Sequence, residues 1–324
     1  MRQLWKECVD AVGVKVAEEA FLEIQYGAGS QDSDLEEALS RCDSLLAVRE
    51  VSAVKTFRDK AIERLVSLCS EPDNCDVELL AAHCQFLSRL ARRRGRDTRL
   101  KLFTTNYDRA FERAASAIGL TAIDGFSFTE PRRFDPRMFE YDLVTRPESA
   151  ADSASYVPGV FQLFKLHGSL DWRVAPDASV VVQREVPPAE LAIVYPAAAK
   201  FRVSYQQPHL ELMSHYLGAL RRPNTCLIVV GFSFGDFHLQ EPIFSALESN
   251  PHFRAIVISP GVKTKMTAQT SAVWKRLRKI HSQGGDLALV AAQFSDFAAL
   301  LPHLRAVSPA EKVVSAIREV LNDA

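Results

Sequence analysis

A histidine that ends an apolar run is the residue in this chain best placed to move a proton. In Phe161–Trp172, FQLFKLHGSLDW, the stretch from Phe161 to Leu166 is broken only by Gln162 and Lys165, and His167 is followed at once by Gly168 and Ser169. Such a run fits a buried strand of a parallel sheet, where both faces are covered and strict alternation is lost. His167 then sits at the carboxyl end of the strand, where open α/β sheets form their ligand crevice. An imidazole there can serve as a base near neutral pH, and Gly168 allows a sharp turn with close approach of a ligand to backbone. A lone histidine in that position reads first as an ordinary loop residue, until other polar groups join it.

Two stretches supply such groups. Leu100–Asp108, LKLFTTNYD, reads as a strand passing directly into a helix over Arg109–Ile118, with Asn106 and Asp108 at the junction. Asp108 suits an N-cap. Asn106 is either a turn former or an amide that holds a substrate hydroxyl or water. Thr225–Val230, TCLIVV, reads as a buried strand closing in Gly231-Phe-Ser-Phe-Gly-Asp236. Gly231 and Ser233 at that edge suit a ribose or phosphate better than packing alone requires.

The elements that must position these residues follow from periodicity. Residues 1–95 read as helical: Leu4, Val9, Val12, Val16, Phe21 and Ile24 give one apolar face, and Val51–Cys69 and Val77–Ala91 repeat the period, with Leu79 and Leu80 among the core candidates. Asp34 offers an N-cap before an acidic first turn. After residue 99, strands at Leu100, Phe161, Leu191–Tyr195, Thr225, Ala255–Ile258 and Leu287–Ala291 alternate with helices at Leu210–Leu220, Ile243–Leu247 and Trp274–Ile280, and a terminal helix spans Val313–Leu321. Alternation of this kind indicates an α/β fold, a Rossmann-like doubly wound, mostly parallel sheet with a helical N-terminal region and an inserted subdomain. The expected division is a helical region over 1–98, a core over 99–300 with an insertion at 120–160, and a C-terminal helix over 301–324.

Composition narrows the function classes. The 324 residues carry 39 Lys and Arg against 40 Asp and Glu, so no global field recruits nucleic acid or an anionic membrane. The apolar runs fall far short of the ~20 residues of a membrane span. The start, MRQLWKECVDAV, has no signal-peptide pattern, and six cysteines without a Cys-x-x-Cys pair suit a reducing cytoplasm and argue against a zinc ribbon. A cytoplasmic protein with no metal is expected.

Three stretches admit two readings each. Tyr26-Gly-Ala-Gly-Ser30 has the letters of a phosphate cradle, yet Glu18–Gln25 before it lacks a branched apolar run and favours a loop between helices. The basic run Arg89–Arg99 is a phosphate patch or a solvated helix end. The Phe-, Arg- and Pro-rich excursion over 120–160 is a lid over the crevice or a packed insertion, with Ser149–Ser155 its most mobile part.

Taken together, these stretches resemble the bacterial sirtuin-like family, whose NAD-cleaving domain is related to sirtuin deacylases. Thr104-Thr-Asn-Tyr-Asp108 is similar to that family's Thr-x-Asn-x-Asp motif, Lys165-Leu-His-Gly-Ser169 to its His-Gly motif, and Gly231-Phe-Ser-Phe-Gly-Asp236 to its Gly-x-Ser motif. The resemblance implies that Asn106 and His167 are the catalytic pair. It also implies that Thr105, Asp108, Gly168, Ser169, Gly231, Ser233 and Asp236 contact NAD as substrate, with Asp108 near the nicotinamide ribose and Gly231 and Ser233 on the adenine side. Deacylases of the family usually carry four zinc-binding cysteines between the His and Gly-Ser motifs; residues 170–225 contain none. Family members without that ribbon are often antiphage effectors that deplete NAD.

The expectation is therefore an NAD glycohydrolase, with NAD and either a second copy of the chain or a defence-system protein as partners. The rivals are a non-catalytic sensor of NAD or ADP-ribose and a plain assembly subunit. A P-loop is absent from the sequence. The family opens with a short strand and a glycine loop; this chain is expected to lack them, to leave an open sheet edge beside Leu100–Thr105, and to be weak alone.

Overall fold

The structure, a computed structural model of the chain, describes residues 2–27, 35–91, 98–146, 155–187, 190–194, 207–267 and 271–302. Helices α1 (Arg2–Val12), α2 (Val14–Glu23), α3 (Leu35–Leu46) and α4 (Ser52–Cys69) form the N-terminal region. The sequence predicts one apolar face running through Leu4–Ile24, but Gly13, at φ 92, splits it into two helices that both pack on α4. Their shared core is built around Phe21 and Phe57, whose rings meet edge-on at 5.0 Å. Helix α2 ends just before Tyr26 and Gly27, so no strand leads into that glycine, as a loop between helices requires. Ala28, Gly29 and Ser30 lie outside the described residues, as do Asp34, the arginines over 92–97 and the terminal stretch Val313–Leu321.

The short α5 (Glu71–Asn74) and a 3-10 turn over Val77–Leu80 lead into α6 (Ala81–Leu90). The turn explains one miss: with helical period interrupted, Leu79 is 75% exposed whereas Leu80 is buried. Then come β1 (Leu100–Thr104), α7 (Ala110–Ala117), β2 (Thr121–Ile123), β3 (Val144–Thr145), β4 (Ser155–Tyr156) and β5 (Val160–Lys165). The chain continues through β6 (Gly168–Val174), β7 (Val180–Val182), β8 (Leu191–Ile193), α8 (His209–Arg221), β9 (Thr225–Val230) and α9 (Phe237–Ser249). It closes with β10 (Phe253–Ile258), α10 (Val262–Thr267), α11 (Ala272–Ser282), β11 (Leu287–Val290) and α12 (Phe294–Leu300).

Two parallel three-stranded sheets, ordered β1-β5-β2 and β11-β10-β9, carry the Rossmann-like layer. Side chains of both enter the same two cores. Phe164 and Val229 pack with α8, α9 and α11 on one face; Leu102, Leu163 and Ile228 pack with α6, α7 and α12 on the other. Every residue of β5 is buried, as expected of a strand covered on both faces. Burial of Phe161, Leu163 and Phe164 contributes roughly 2 kcal/mol apiece.

Among the described residues β1 pairs with β5 alone and β9 with β10 alone. That corrects the reading of Thr225–Val230 as a fully buried strand. Only Val229 is buried and Cys226 is exposed, because no described strand lies along the outer edge of β9. Leu191–Ile193 is likewise not a strand of the parallel sheet: β8 pairs antiparallel with β6, which also pairs with β7. The sequence reading found β8 as a strand but not its partners, because an apolar run does not tell which strand it will pair with and β6, GSLDWRV, has no such run. The excursion packs against it. Phe126 and Phe139 are buried, Phe126 lies 5.0 Å from the Trp172 ring, and Arg132 grips Asp124 through two hydrogen bonds of 2.8 and 2.9 Å. Phe126, Phe139 and the Asp124–Arg132 pair thus pack part of the excursion onto the core, and 147–154 lie outside the described residues.

Candidate active site

The parallel pairing of β1 with β5 brings two of the motifs to one edge. Thr104 is in register with Lys165, and the Leu166 N–H donates to the Thr104 carbonyl at 2.9 Å. Asn106 and His167, each two residues further on, therefore emerge at the same carboxyl edge. Asn106 is exposed, with its N–H held by Thr104 Oγ1 at 3.1 Å, and Thr105 is half-buried beside it. Asp108 Oδ1 accepts from the Ala110 N–H at 3.0 Å, yet the N-cap of α7 is Arg109, so the cap expected at Asp108 falls one residue later and Asp108 closes the turn before it.

The backbone of His167 is pinned where the two kinds of sheet meet: its carbonyl accepts from the Val194 N–H at 2.9 Å. Gly168 is required there. At φ +88, a Cβ would fall 2.1 Å from the Ala192 carbonyl oxygen. The His167 side chain reaches across to the loop after β9, where Nε2 lies 3.3 Å from Asp236 Oδ2, with the two side chains only 13% and 11% exposed. Asp236 also caps α9, its Oδ1 accepting from the His238 N–H at 3.1 Å. When Nε2 carries the proton it donates to Asp236 and leaves Nδ1 as the ring's acceptor.

Gly231 and Ser233 are exposed on the same loop. Ser233 Oγ accepts from the Gly235 N–H at 3.3 Å, and the loop is anchored by Phe234, buried against Phe232, Phe244 and Trp274 despite a φ of 59. Ser169 differs from the other candidates. It is 0% exposed, and its hydroxyl accepts from Lys165 Nζ at 2.7 Å, so it faces the interior and not the crevice edge.

Sequence reasoning passed over two residues and one contact here. Lys165, read as a mere interruption of an apolar run, is 2% exposed and hydrogen-bonded on several sides; a charge inside a buried strand was the available signal. The His167–Asp236 contact joins motifs remote in sequence, and no local pattern announces it. His209, at the first position of α8, is 4% exposed with Nδ1 3.3 Å from the Leu166 carbonyl, to which it donates. Burial drives its pKa down to about 4, opposed by that carbonyl and reinforced by the neighbouring His167. It is a neutral, structural imidazole beneath the candidate base.

An amide, a histidine–carboxylate pair and a glycine-serine loop thus share the carboxyl edge of a doubly wound sheet, the edge at which such sheets bind their ligands. The SIR2-like domain family matches residues 101–280, more than half of the chain and the span that holds all of these groups. The chain belongs to the SIR2-like domain family, whose fold is Rossmann-like and whose chemistry involves NAD. No curated protein matches it. No described helix is long and apolar enough to cross a membrane.

Proposed function

We propose that this protein cleaves the nicotinamide–ribose bond of NAD by hydrolysis and acts as an NAD-depleting effector in antiphage defence. The observation that carries the chemical reading is the contact of His167 Nε2 with Asp236 Oδ2 at 3.3 Å, on the edge that also presents Asn106. The nicotinamide of NAD is a cationic leaving group, so rupture of its bond to the ribose needs little acid catalysis and proceeds through an oxocarbenium-like state. In the balanced step, the bonding electrons pass to the nicotinamide nitrogen, a water oxygen bonds to the anomeric carbon, and the water's proton goes to His167 Nδ1. Asp236 keeps the imidazole in the tautomer that accepts there and stabilises the imidazolium formed. Asn106 orients the water or a ribose hydroxyl, and Gly231 and Ser233 receive the phosphates or the distal ribose. The defence role rests on the family resemblance and on the lack of cysteines over 170–225 that would hold a deacylase zinc.

The experiment is incubation of the pure protein with NAD and chromatographic detection of free nicotinamide. Release of nicotinamide with ADP-ribose supports hydrolysis. NAD binding without release would instead favour the sensor reading.

A further inference from the structure

We propose that Lys165 is a positioning residue for this reaction: it fixes the Asn106–Asp108 loop through that loop's own carbonyl groups. The proposal rests on the functional reading above, because it assigns Lys165 a task in holding Asn106 for turnover.

Lys165 is the last residue of β5 and is 2% exposed. Its ammonium donates to the Asp108 carbonyl at 2.5 Å and lies 3.3 Å from the Tyr107 carbonyl. The remaining contacts are Glu112 Oε1 at 3.0 Å and Ser169 Oγ at 2.7 Å. A buried ammonium has three protons to place, and here they go to the loop after β1, to the first turn of α7 and to the start of β6. The same carbonyl of Tyr107 accepts from the Leu170 N–H at 3.1 Å, and the Tyr107 hydroxyl donates to the Val194 carbonyl at 2.8 Å. Arg109 Nε, 3.2 Å from Asp171 Oδ2, makes a second tie between this loop and β6.

Asn106 itself is exposed. Its backbone is held on one side by Thr104 Oγ1 and on the other by the residues that follow it, whose carbonyl groups Lys165 binds. A core ion pair adds little net stability compared with apolar packing of similar shape, so stability alone does not account for a lysine here. Geometry does: the cation joins three elements whose ends must keep a fixed spacing at the crevice. Misplacement of a reacting group by about 1 Å can cost on the order of 100-fold in rate.

The test uses Lys165→Met and, to remove the carboxylate left stranded by it, Lys165→Met with Glu112→Leu. Two readouts are taken on whichever of these shows native circular dichroism. Amide hydrogen exchange at Tyr107–Asp108, compared with β10 as an internal standard, is expected to accelerate at least tenfold while β10 is unchanged; this reading needs no activity. Nicotinamide release is expected to lose roughly 10–100-fold in kcat with a much smaller change in KM, and Lys165→Arg, which keeps the charge, is expected to recover part of it. Unchanged exchange at Tyr107–Asp108 would overturn the proposal whatever the turnover. So would accelerated exchange with wild-type kcat. Failure of both variants to fold, with Lys165→Arg folded and fully active, would also overturn it, since charge placement would then matter to folding alone. Absence of nicotinamide release from the wild-type protein would instead refute the functional reading and with it the proposal's catalytic half.

Discussion

His209 shows how a side chain can matter at this site without touching substrate. Its imidazole is neutral, buried and hydrogen-bonded to the carbonyl of the residue before His167. Its pKa in the folded state, about 4, lies below the ordinary 6.5, so the unfolded chain takes up the proton first as pH falls. The stability this group contributes is complete above pH 6.5 and is lost as pH drops toward 4. We expect roughly 3 kcal/mol of unfolding free energy to disappear across that window. Carboxylates titrate in the same range, so the readout is a difference: urea denaturation of His209→Gln should show a flatter pH dependence than wild type. Parallel curves would contradict the assignment. The placement of the candidate residues was legible where it was local. Asn106, His167 and Gly168 each follow a strand-like run, whereas the Asp236 contact and the roles of Lys165 and His209 depend on elements that meet only in three dimensions.

At the scale of elements, many strands and helices were readable because β5, β10 and the helices α8, α9 and α11 keep clear apolar periods, whereas α10, with the sequence VKTKMT, has none and was not read. The failures have physical causes. Gly13 breaks an otherwise continuous apolar face. The sheet β7-β6-β8 is made of short antiparallel strands, one of which begins directly after His167. The excursion after β2 mixes aromatic and basic residues, but its Phe126 and Phe139 fill the core shared with Trp172 while Phe128 and Tyr141 are exposed. If Phe126 is core, Phe126→Ala should cost roughly 3–5 kcal/mol in chemical denaturation. A loss under about 1 kcal/mol would mean that the segment is a detachable lid after all.

For the whole molecule, the central observation is a parallel layer in two halves that share both hydrophobic cores yet, among the described residues, are not hydrogen-bonded to each other. The edges of β1 and β9 carry main-chain groups with no described strand alongside, and β9 is correspondingly half-exposed. Hydrogen exchange on the intact protein should therefore find the amides of β1 and β9 faster than those of β5 and β10. Equal protection in all four strands would show that these edges are paired in solution. The sequence reading anticipated an open edge beside Leu100–Thr105 from the absence of a strand before Gly27. It did not anticipate the half-exposure of β9, since TCLIVV is as apolar as any central strand.

The most direct test of the account is a single-turnover assay, with enzyme in excess over NAD so that even slow chemistry registers, on wild type and on His167→Ala and Asn106→Ala. The account predicts nicotinamide release by wild type and a loss of roughly 10²–10⁴-fold in each variant, with unchanged circular dichroism. Both residues lie at strand ends on the crevice edge, so their removal should affect chemistry more than packing. No release by folded wild-type protein, or release at the wild-type rate by either variant, would contradict it.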